Sequence, residues 1–169
     1  MLILRGSPAL SPFRLAKLLQ DLTAAALPAR ALSAEFVHVV ETTGDLAAPE
    51  RDVLEQLLTY GPRRAAASVA GLTQVVAPRP GTISPWSSKA TDIAHTCGLA
   101  AVKRIERVIV YRLEIDNAAL TKPLMVLTAP QLQALRGKLH DRMTQVVFGS
   151  VEECEVLFRR ETPRPMTSV

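Results

Sequence analysis

The chain contains an internal repeat, and this repeat constrains the fold more than any other feature of the sequence. An arginine precedes an apolar-Ser-Pro-aromatic tetrad at Leu10–Phe13, and the same pattern recurs 73 residues later at Ile83–Trp86. Each tetrad is followed by a strand pattern that opens on glutamate, at Glu35 and at Glu106. Because the matches occur in one order and at similar offsets, they indicate a duplicated structural unit.

Each copy of the repeat has the pattern of a β-α-β-α unit. Alternating apolar residues predict strands at 1–5, 32–41, 73–77 and 104–115. Capping residues and helical spacing predict four helices, which start after Ser11, at Pro49, at Ser87 or Ser88, and after Thr128. We expect Gly98 to end the third helix in a left-handed conformation. The fourth helix is expected to continue to about Gly149.

The two long strands indicate how the two copies meet. Each strand has an apolar face and, on its other face, a central valine pair: Val37 with Val39, and Val108 with Val110. A sheet that is apolar on both faces must be covered on both sides. We expect helices to cover one face and the second copy to cover the other.

The predicted fold class is therefore α+β. It is a duplicated β-α-β-α unit in two pseudo-twofold halves, with their sheets packed together and the helices outside. We place the duplicated domain at 1–145, with halves at about 1–62 and 73–145 joined by an Ala-rich connection. Residues 146–169 are expected to be the truncated start of a linker domain.

Composition is that of a globular protein and argues against several classes of partner. The chain has 169 residues, of which 48% are hydrophobic, and its net charge of +4 comes from scattered basic residues with only 4% aromatics. Nucleic-acid binders concentrate basic residues and interleave aromatic ones. Two distant cysteines support neither a disulfide framework nor a zinc site. No segment reaches membrane-spanning length, so we expect a cytoplasmic protein with neither nucleic acid nor membrane as partner.

Four single residues have reactive or bulky side chains. His38 is predicted to be a partly buried strand residue, and Cys97 an inert thiol on the apolar face of its helix. Cys154 lies in an amphipathic C-terminal stretch with no neighbouring base, and Trp86 is interpreted as a packing anchor.

The segment from Arg79 to His95 is the richest in polar groups. Its hydroxyls and the Lys89 ammonium lie at or before a helix N-terminus, where free backbone N–H groups attract anions. Helix capping by serine, with a solvated polar face, explains the same residues without a ligand. Both interpretations remain open from the residues alone, and capping is the simpler.

The same residues carry a family resemblance. The segment PRPGTISPWSSKATDIAHTCGL (78–99), followed by Arg-Ile-Glu-Arg at 104–107, closely resembles the N-terminal domain of large, single-chain phosphoribosylformylglycinamidine synthases. The opening residues 4–19 and Leu-His-Asp-Arg-Met at 139–143 are similar to the start and the end of that domain. The resemblance implies a duplicated α+β domain like a dimer of the family's separate small subunit, in agreement with the repeat.

The resemblance also implies a function for the chain. In that family the full-length enzyme is a ligase of purine biosynthesis that uses ATP, magnesium and glutamine to convert formylglycinamide ribonucleotide to its amidine. ATP and magnesium bind in a synthetase domain, and glutamine is hydrolysed in a glutaminase domain, both beyond this segment of the polypeptide. The chain is then an inactive, non-catalytic assembly domain without cofactor or metal residues. It docks those two domains and helps to enclose the path of ammonia.

Polar turn residues on a rigid scaffold suit docking, which makes the segment from residue 79 to residue 92 the candidate contact surface. The residues predicted to form it are Arg79, Gly81, Thr82, Ser84, Trp86, Ser87, Ser88, Lys89, Thr91 and Asp92. Two alternatives stay open. One is an independent regulatory module that binds an anion or nucleotide at Ser87, Ser88 and Lys89, and the other is RNA binding through the dispersed basic residues.

Overall fold

The computed structural model describes residues 1–61, 71–115 and 127–159. The element order is β1 (Leu2–Pro8), α1 (Pro12–Ala24), β2 (Ala29–Thr42), α2 (Ala48–Leu58), β3 (Leu72–Pro78), α3 (Pro85–Thr96), β4 (Val102–Ile115), α4 (Ala129–Leu139), β5 (Gln145–Phe148) and a 3-10 helix (Glu152–Phe158). A β-α-β-α unit therefore occurs twice, and the α+β class and the repeat are confirmed. Most of the predicted Ala-rich connection lies outside the described residues.

The strands form one antiparallel sheet in the order β1-β2-β4-β3-β5. The 14-residue strands β2 and β4 pair at its centre, so the two halves join edge to edge. This differs from the expectation that the second half would lie across the open face of the first. Pairing β2 with β4 satisfies the backbone groups of both edges, which two separate stacked sheets would leave unpaired.

The four α-helices of the described residues lie on one face of the sheet, in two pairs. Ala34 and Val40 project to this same face because they are an even number of positions apart on the strand. Helices α1 and α4 cover the end at Ala34 through Leu22 and Leu135, and α2 and α3 cover the end at Val40 through Leu54. Each pair takes one helix from each half, so the two halves share both cores.

The opposite face carries the central valines that the sequence analysis identified. Val37 and Val108 are buried there with side chains of the C-terminal segment, including Cys154 and Leu157. The strand β5 extends the sheet beside β3, with Val75 opposite Phe148. The second cover of the sheet is thus the 3-10 helix, whose apolar side chains replace the predicted cover by the second half.

Two predicted helix limits were wrong. The helix α3 begins at Pro85 and not at Ser87 or Ser88, because Ser84 supplies the capping oxygen and the proline ring presets the first helical φ. The helix α4 ends at Leu139 and not near Gly149, because residues 145–148 pair with β3 as a strand. The predicted left-handed residue after α3 is confirmed, since Gly98 has φ of 84°.

Within residues 1–61, 71–115 and 127–159, every helix is too short or too polar to cross a bilayer.

Candidate functional site

The 79–92 segment runs from the end of β3 through a turn into the first two turns of α3. The turn is closed by two hydrogen bonds to the Arg79 carbonyl, from Thr82 Oγ1 (2.7 Å) and from Thr82 N (3.2 Å). Arg79 also donates to the loop before β5, from its backbone N to Thr144 O (3.2 Å) and from Nη1 to Met143 O (3.3 Å). Hydrogen bonds to backbone carbonyl oxygens therefore define the conformation of the turn.

The buried carboxylate of Glu106 accepts hydrogen bonds from the residue that caps the start of α3. The Ser84 hydroxyl donates to Glu106 Oε2 (2.9 Å), and Ser84 N donates to Oε1 (3.4 Å). The same Ser84 oxygen accepts the hydrogen bond from Ser87 N (3.0 Å) that caps the helix. Because Glu106 lies on β4 and is fully buried, this contact joins the first turn of α3 to the central sheet.

The guanidinium of Arg104 satisfies the Glu106 carboxylate and links three parts of the chain. Its Nε lies 3.1 Å from Glu106 Oε1, its Nη2 donates to Thr82 O (2.6 Å), and its Nη1 donates to Leu157 O (2.9 Å). A buried ion pair is stable only when further hydrogen bonds satisfy both partners. Ser84 supplies that bond for the carboxylate, and the two carbonyls supply it for the guanidinium.

The ten predicted docking residues differ in how far they reach solvent. Six of them are exposed: Arg79, Gly81, Thr82, Ser88, Lys89 and Asp92. Ser84, Trp86 and Thr91 are partly buried, and Ser87 is fully buried. Thr91 Oγ1 accepts a hydrogen bond from Ile105 N (3.1 Å). The structure thus separates the predicted set into an outer polar surface and an inner group that supports it.

Trp86 packs over a cluster of aromatic and basic side chains beneath α3. Its ring stacks on His38, with 5.5 Å between centroids and 24° between planes. The Arg107 guanidinium lies between Trp86 (4.8 Å) and the ring of Phe36 (4.3 Å). Tyr60 closes the cluster, because its hydroxyl is 2.8 Å from His38 Nε2. This geometry agrees with the interpretation of Trp86 as a packing anchor.

His38 is an uncharged core residue at neutral pH. It is fully buried, beyond the partial burial predicted from the sequence. Burial, followed by the positive charge of Arg107, lowers the pKa of His38 to about 4. Gly6 allows this position for the ring, since a Cβ there would lie 2.8 Å from His38 Cε1. The neutral ring can therefore pack against Trp86 as an aromatic side chain.

An open, mostly apolar groove of about 320 Å³ lies between α2 and α3 beside this cluster. Residues that line it include Leu57, Tyr60, Trp86, Lys89 and Ile93. Lys89 is the cation at the groove, and Ile93 is 53% exposed. The groove thus continues the exposed surface of the 79–92 segment with apolar area.

The two cysteines differ in burial, and the burial predicted for Cys97 is not observed. Cys97 is exposed, so its predicted place on the apolar face of the helix was wrong. The helical periodicity stops at Thr96, and Cys97 is the C-cap residue. Cys154 is buried, and burial, with the nearby Glu153 and Glu152 charges, raises its pKa to about 12. In the described residues, no cluster of His, Cys, Asp and Glu could hold a metal ion.

Sequence reasoning missed the supporting residues Arg104, Glu106 and Arg107. One signal was present, because Glu35 and Glu106 occupy equivalent places in the two strands, each two residues before a valine on the same face. A charged residue repeated inside a strand indicates a paired, buried group. The identity of its partners depends on contacts between distant segments, which no spacing reveals.

The chain was compared with models of protein families, and the match covers most of its length. Residues 35–158 match the family described as formylglycinamide ribonucleotide amidotransferase N-terminal. The matched range is 124 of the 169 residues and contains the whole 79–92 segment, Arg104 and Glu106. The resemblance seen in the sequence is confirmed by this match. The chain belongs to the formylglycinamide ribonucleotide amidotransferase N-terminal family.

Proposed function

We propose that this chain is the non-catalytic assembly domain of a glutamine-dependent ligase of purine biosynthesis. The enzyme converts formylglycinamide ribonucleotide to formylglycinamidine ribonucleotide, and ATP and magnesium bind in its synthetase domain. The chain docks the synthetase and glutaminase domains of the same polypeptide, in the cytoplasm. The family match over residues 35–158 carries this proposal.

The physical need for such a domain comes from the ammonia step. Ammonia released from glutamine must reach a phosphorylated intermediate before either reacts with water or escapes. A closed route that excludes water meets this need, and a closed route requires domains held in one fixed arrangement. We propose that this domain supplies the fixed arrangement and helps to enclose the route.

The 79–92 segment is the proposed docking surface. Its outer side chains combine hydroxyls with charges of both signs, at Ser88, Lys89 and Asp92. Ile83 and Ile93, which are 63% and 53% exposed, add apolar area within the segment and directly after it. Polar groups beside apolar side chains are typical of interfaces. The contacts of Glu106 and Arg104 support the surface from inside, so docking orders few additional groups.

The first test restores the enzyme from its parts. This chain is mixed with a polypeptide that holds the synthetase and glutaminase domains, and glutamine-dependent amidine formation is measured with and without it. We expect activity only with the chain present, and neither glutaminase nor ATPase activity from the chain alone. Full activity of the other domains without it would refute the assembly role.

The second test places a charge reversal, Lys89→Glu, in the docking surface of the enzyme. We expect glutamine-supported amidine formation to fall about tenfold, because a small misplacement of reacting groups is costly. Added ammonium salt supplies ammonia directly and bypasses the route between domains. Activity supported by that salt should therefore fall by less than about twofold. Lys17→Glu, on the exposed face of α1, is the matched control. Equal loss in both assays, or no loss, would contradict the proposed surface.

The alternative is an independent module that binds an anion or nucleotide at the start of α3. The burial of Ser87 leaves only Ser88 and Lys89 of the three predicted residues in contact with solvent. This geometry gives the alternative less support than the sequence did. Calorimetric titration with phosphate and ATP distinguishes the two functions, since binding that is lost in Lys89→Ala would favour the regulatory module.

A further inference from the structure

Two buried glutamates occupy equivalent places in the two halves. Glu35 on β2 and Glu106 on β4 are separated by the same 71 residues as the strand patterns around them. They are 4% and 0% exposed. Both project to the face of the sheet that carries Val37 and Val108, because each lies two residues before its valine. The duplication therefore produced two equivalent buried carboxylates.

The two carboxylates have different partners. Glu35 binds Arg5 Nη2 at 2.8 Å from Oε2 and Arg112 Nη1 at 2.5 Å from Oε1. The cap of the helix in that half, Ser11, is exposed and accepts a hydrogen bond from Arg14 N (3.3 Å). In the second half, by contrast, the equivalent cap Ser84 donates directly to the buried carboxylate.

The arginine that serves Glu106 is also specific to the second half. Arg104 lies two residues before Glu106, and the equivalent position before Glu35 is Ser33. A serine at that position cannot reach both a turn and a distant helix. Among residues 1–61, 71–115 and 127–159, this double contact of a guanidinium occurs in the second half alone: Arg104 binds the turn before the helix, at Thr82 O, and the 3-10 helix, at Leu157 O.

We propose that Arg104 and Glu106 are positioning residues that hold the 79–92 segment and the 3-10 helix 152–158 as one rigid unit. Glu106 fixes the first turn of α3, and Arg104 fixes the turn before it together with the end of the 3-10 helix. The surface that docks the other domains and the C-terminal segment of the described chain therefore keep one relative geometry. This inference rests on the proposed function of the 79–92 segment as a docking surface.

The chemistry of arginine makes the test specific. Its planar guanidinium presents five donors in fixed directions, so one side chain can bind a carboxylate and two carbonyls together. Lysine keeps the charge but cannot reproduce this geometry. Arg104→Lys therefore removes the link between the segments while the charge opposite Glu106 is retained. Glu106→Gln is the second variant, because it keeps an acceptor for Ser84 and removes the ion pair.

Hydrogen–deuterium exchange on this chain tests the rigid unit directly. In Arg104→Lys we expect the amides of Ser87 and Ser88, and those of Cys154 and Arg159, to exchange about tenfold faster together, because bonds to a charged group are lost. The matched control is Arg112→Lys, which changes the ion pair of Glu35, the carboxylate equivalent to Glu106. This control should leave the exchange rates of these four amides unchanged. Faster exchange in one region only, or in neither, overturns the proposed coupling.

The enzyme assay then tests its role in function. In Arg104→Lys and Glu106→Gln we expect glutamine-supported amidine formation to fall about tenfold, with ammonia-supported activity within about twofold of normal. A purely destabilising change would lower both activities alike. If Lys89→Glu separates the two activities and Arg104→Lys does not, the positioning role is wrong and the docking surface stands. If neither variant separates them, the docking function itself fails.

Discussion

Val37 and Val108 lie directly opposite each other in the register of β2 and β4, and each holds the same place in its own half. The separation of 71 residues between them equals that between Glu35 and Glu106. When a residue pairs with its own equivalent in the other half, a twofold axis passes between the two. A pseudo-twofold axis therefore passes through the sheet between Val37 and Val108. Around that axis, β1 and β2 of the first half correspond to β3 and β4 of the second.

The shared helix pairs predict that the two halves unfold together. Leu22 of the first half is fully buried against α4 of the second, and Leu22→Ala should cost about 2–5 kcal/mol. Urea unfolding should be followed both by far-UV circular dichroism and by the fluorescence of Trp86, the single tryptophan, which lies in the other helix pair. We expect both transitions to shift equally. A fluorescence midpoint that does not move would mean separate unfolding, and Lys17→Ala on the exposed face of α1 is the control.

The repeat supplies a matched pair of aromatic residues, Phe13 and Trp86. Both end an apolar-Ser-Pro-aromatic tetrad, but Phe13 is 77% exposed whereas Trp86 packs on His38 and Arg107. Trp86→Ala should cost about 3 kcal/mol, toward the lower end of values for buried aromatics. Phe13→Ala should change the free energy of unfolding by less than about 0.5 kcal/mol. Equal losses in chemical denaturation would show that the cluster beneath α3 contributes nothing.

Accessibility predicts that the two thiols react differently. Exposed Cys97 should react with a thiol reagent in the native chain, while buried Cys154, whose pKa is raised, should stay protected. Because only an exposed thiol reacts, we expect about one reactive thiol per native chain and about two per chain in denaturant. The variant Cys97→Ser should show almost none until it unfolds. Rapid labelling of native Cys97→Ser would contradict the burial of Cys154.

The order of the helices and strands could be read from the sequence because each motif of the repeat is local. The tetrads, the glutamate-led strands and the Ala-Pro helix starts each lie within a few residues, and their offsets give the order of elements. The start of α3 was also within reach, since Ser84 before Pro85 is the equivalent of Ser11 before Pro12, which caps α1.

The joining of the halves and the support of the docking segment could not be read from the sequence. A valine-rich strand is compatible with stacked sheets or with edge pairing, and only the competition for backbone partners decides between them. The contact of Arg104 with Leu157 spans 53 residues. It depends on where the 3-10 helix lies, and that position follows from packing of the whole apolar face.

The ion pairs of Glu35 predict strongly non-additive stability effects. The Arg5 side chain is 62% exposed and that of Arg112 is 28% exposed. Arg5→Ala should cost less than about 1 kcal/mol, as exposed ion pairs do, and Arg112→Ala about 1–3 kcal/mol. The double variant leaves the buried carboxylate without a cation and should cost about 3–5 kcal/mol, more than the sum of the two single losses. A double variant equal to the sum of two small effects would mean that water already satisfies Glu35.

Burial of His38 predicts a dependence of stability on pH. Its pKa is about 4 in the folded chain against 6.5 when exposed, so the unfolded chain binds more protons between these values. The free energy of unfolding should therefore fall as pH decreases from about 6.5 toward 4, by up to about 1.4 kcal/mol per pH unit from this group. Well above pH 6.5 the ring is neutral in both states and contributes no slope.

The variant His38→Gln isolates the contribution of His38 to the pH dependence of stability, because glutamine keeps a polar contact for Tyr60 but does not titrate. Carboxylates also bind protons below pH 5, so the quantity to compare is the difference in slope between the two proteins from urea unfolding at pH 7, 6, 5.5 and 5. We expect the variant to be less stable at pH 7 and to lose less on acidification, so that the two curves converge toward low pH. Parallel curves would mean that His38 is protonated equally in both states and that the imidazole stacked on Trp86 is solvated. Convergence would show that the neutral ring is what the cluster under α3 requires.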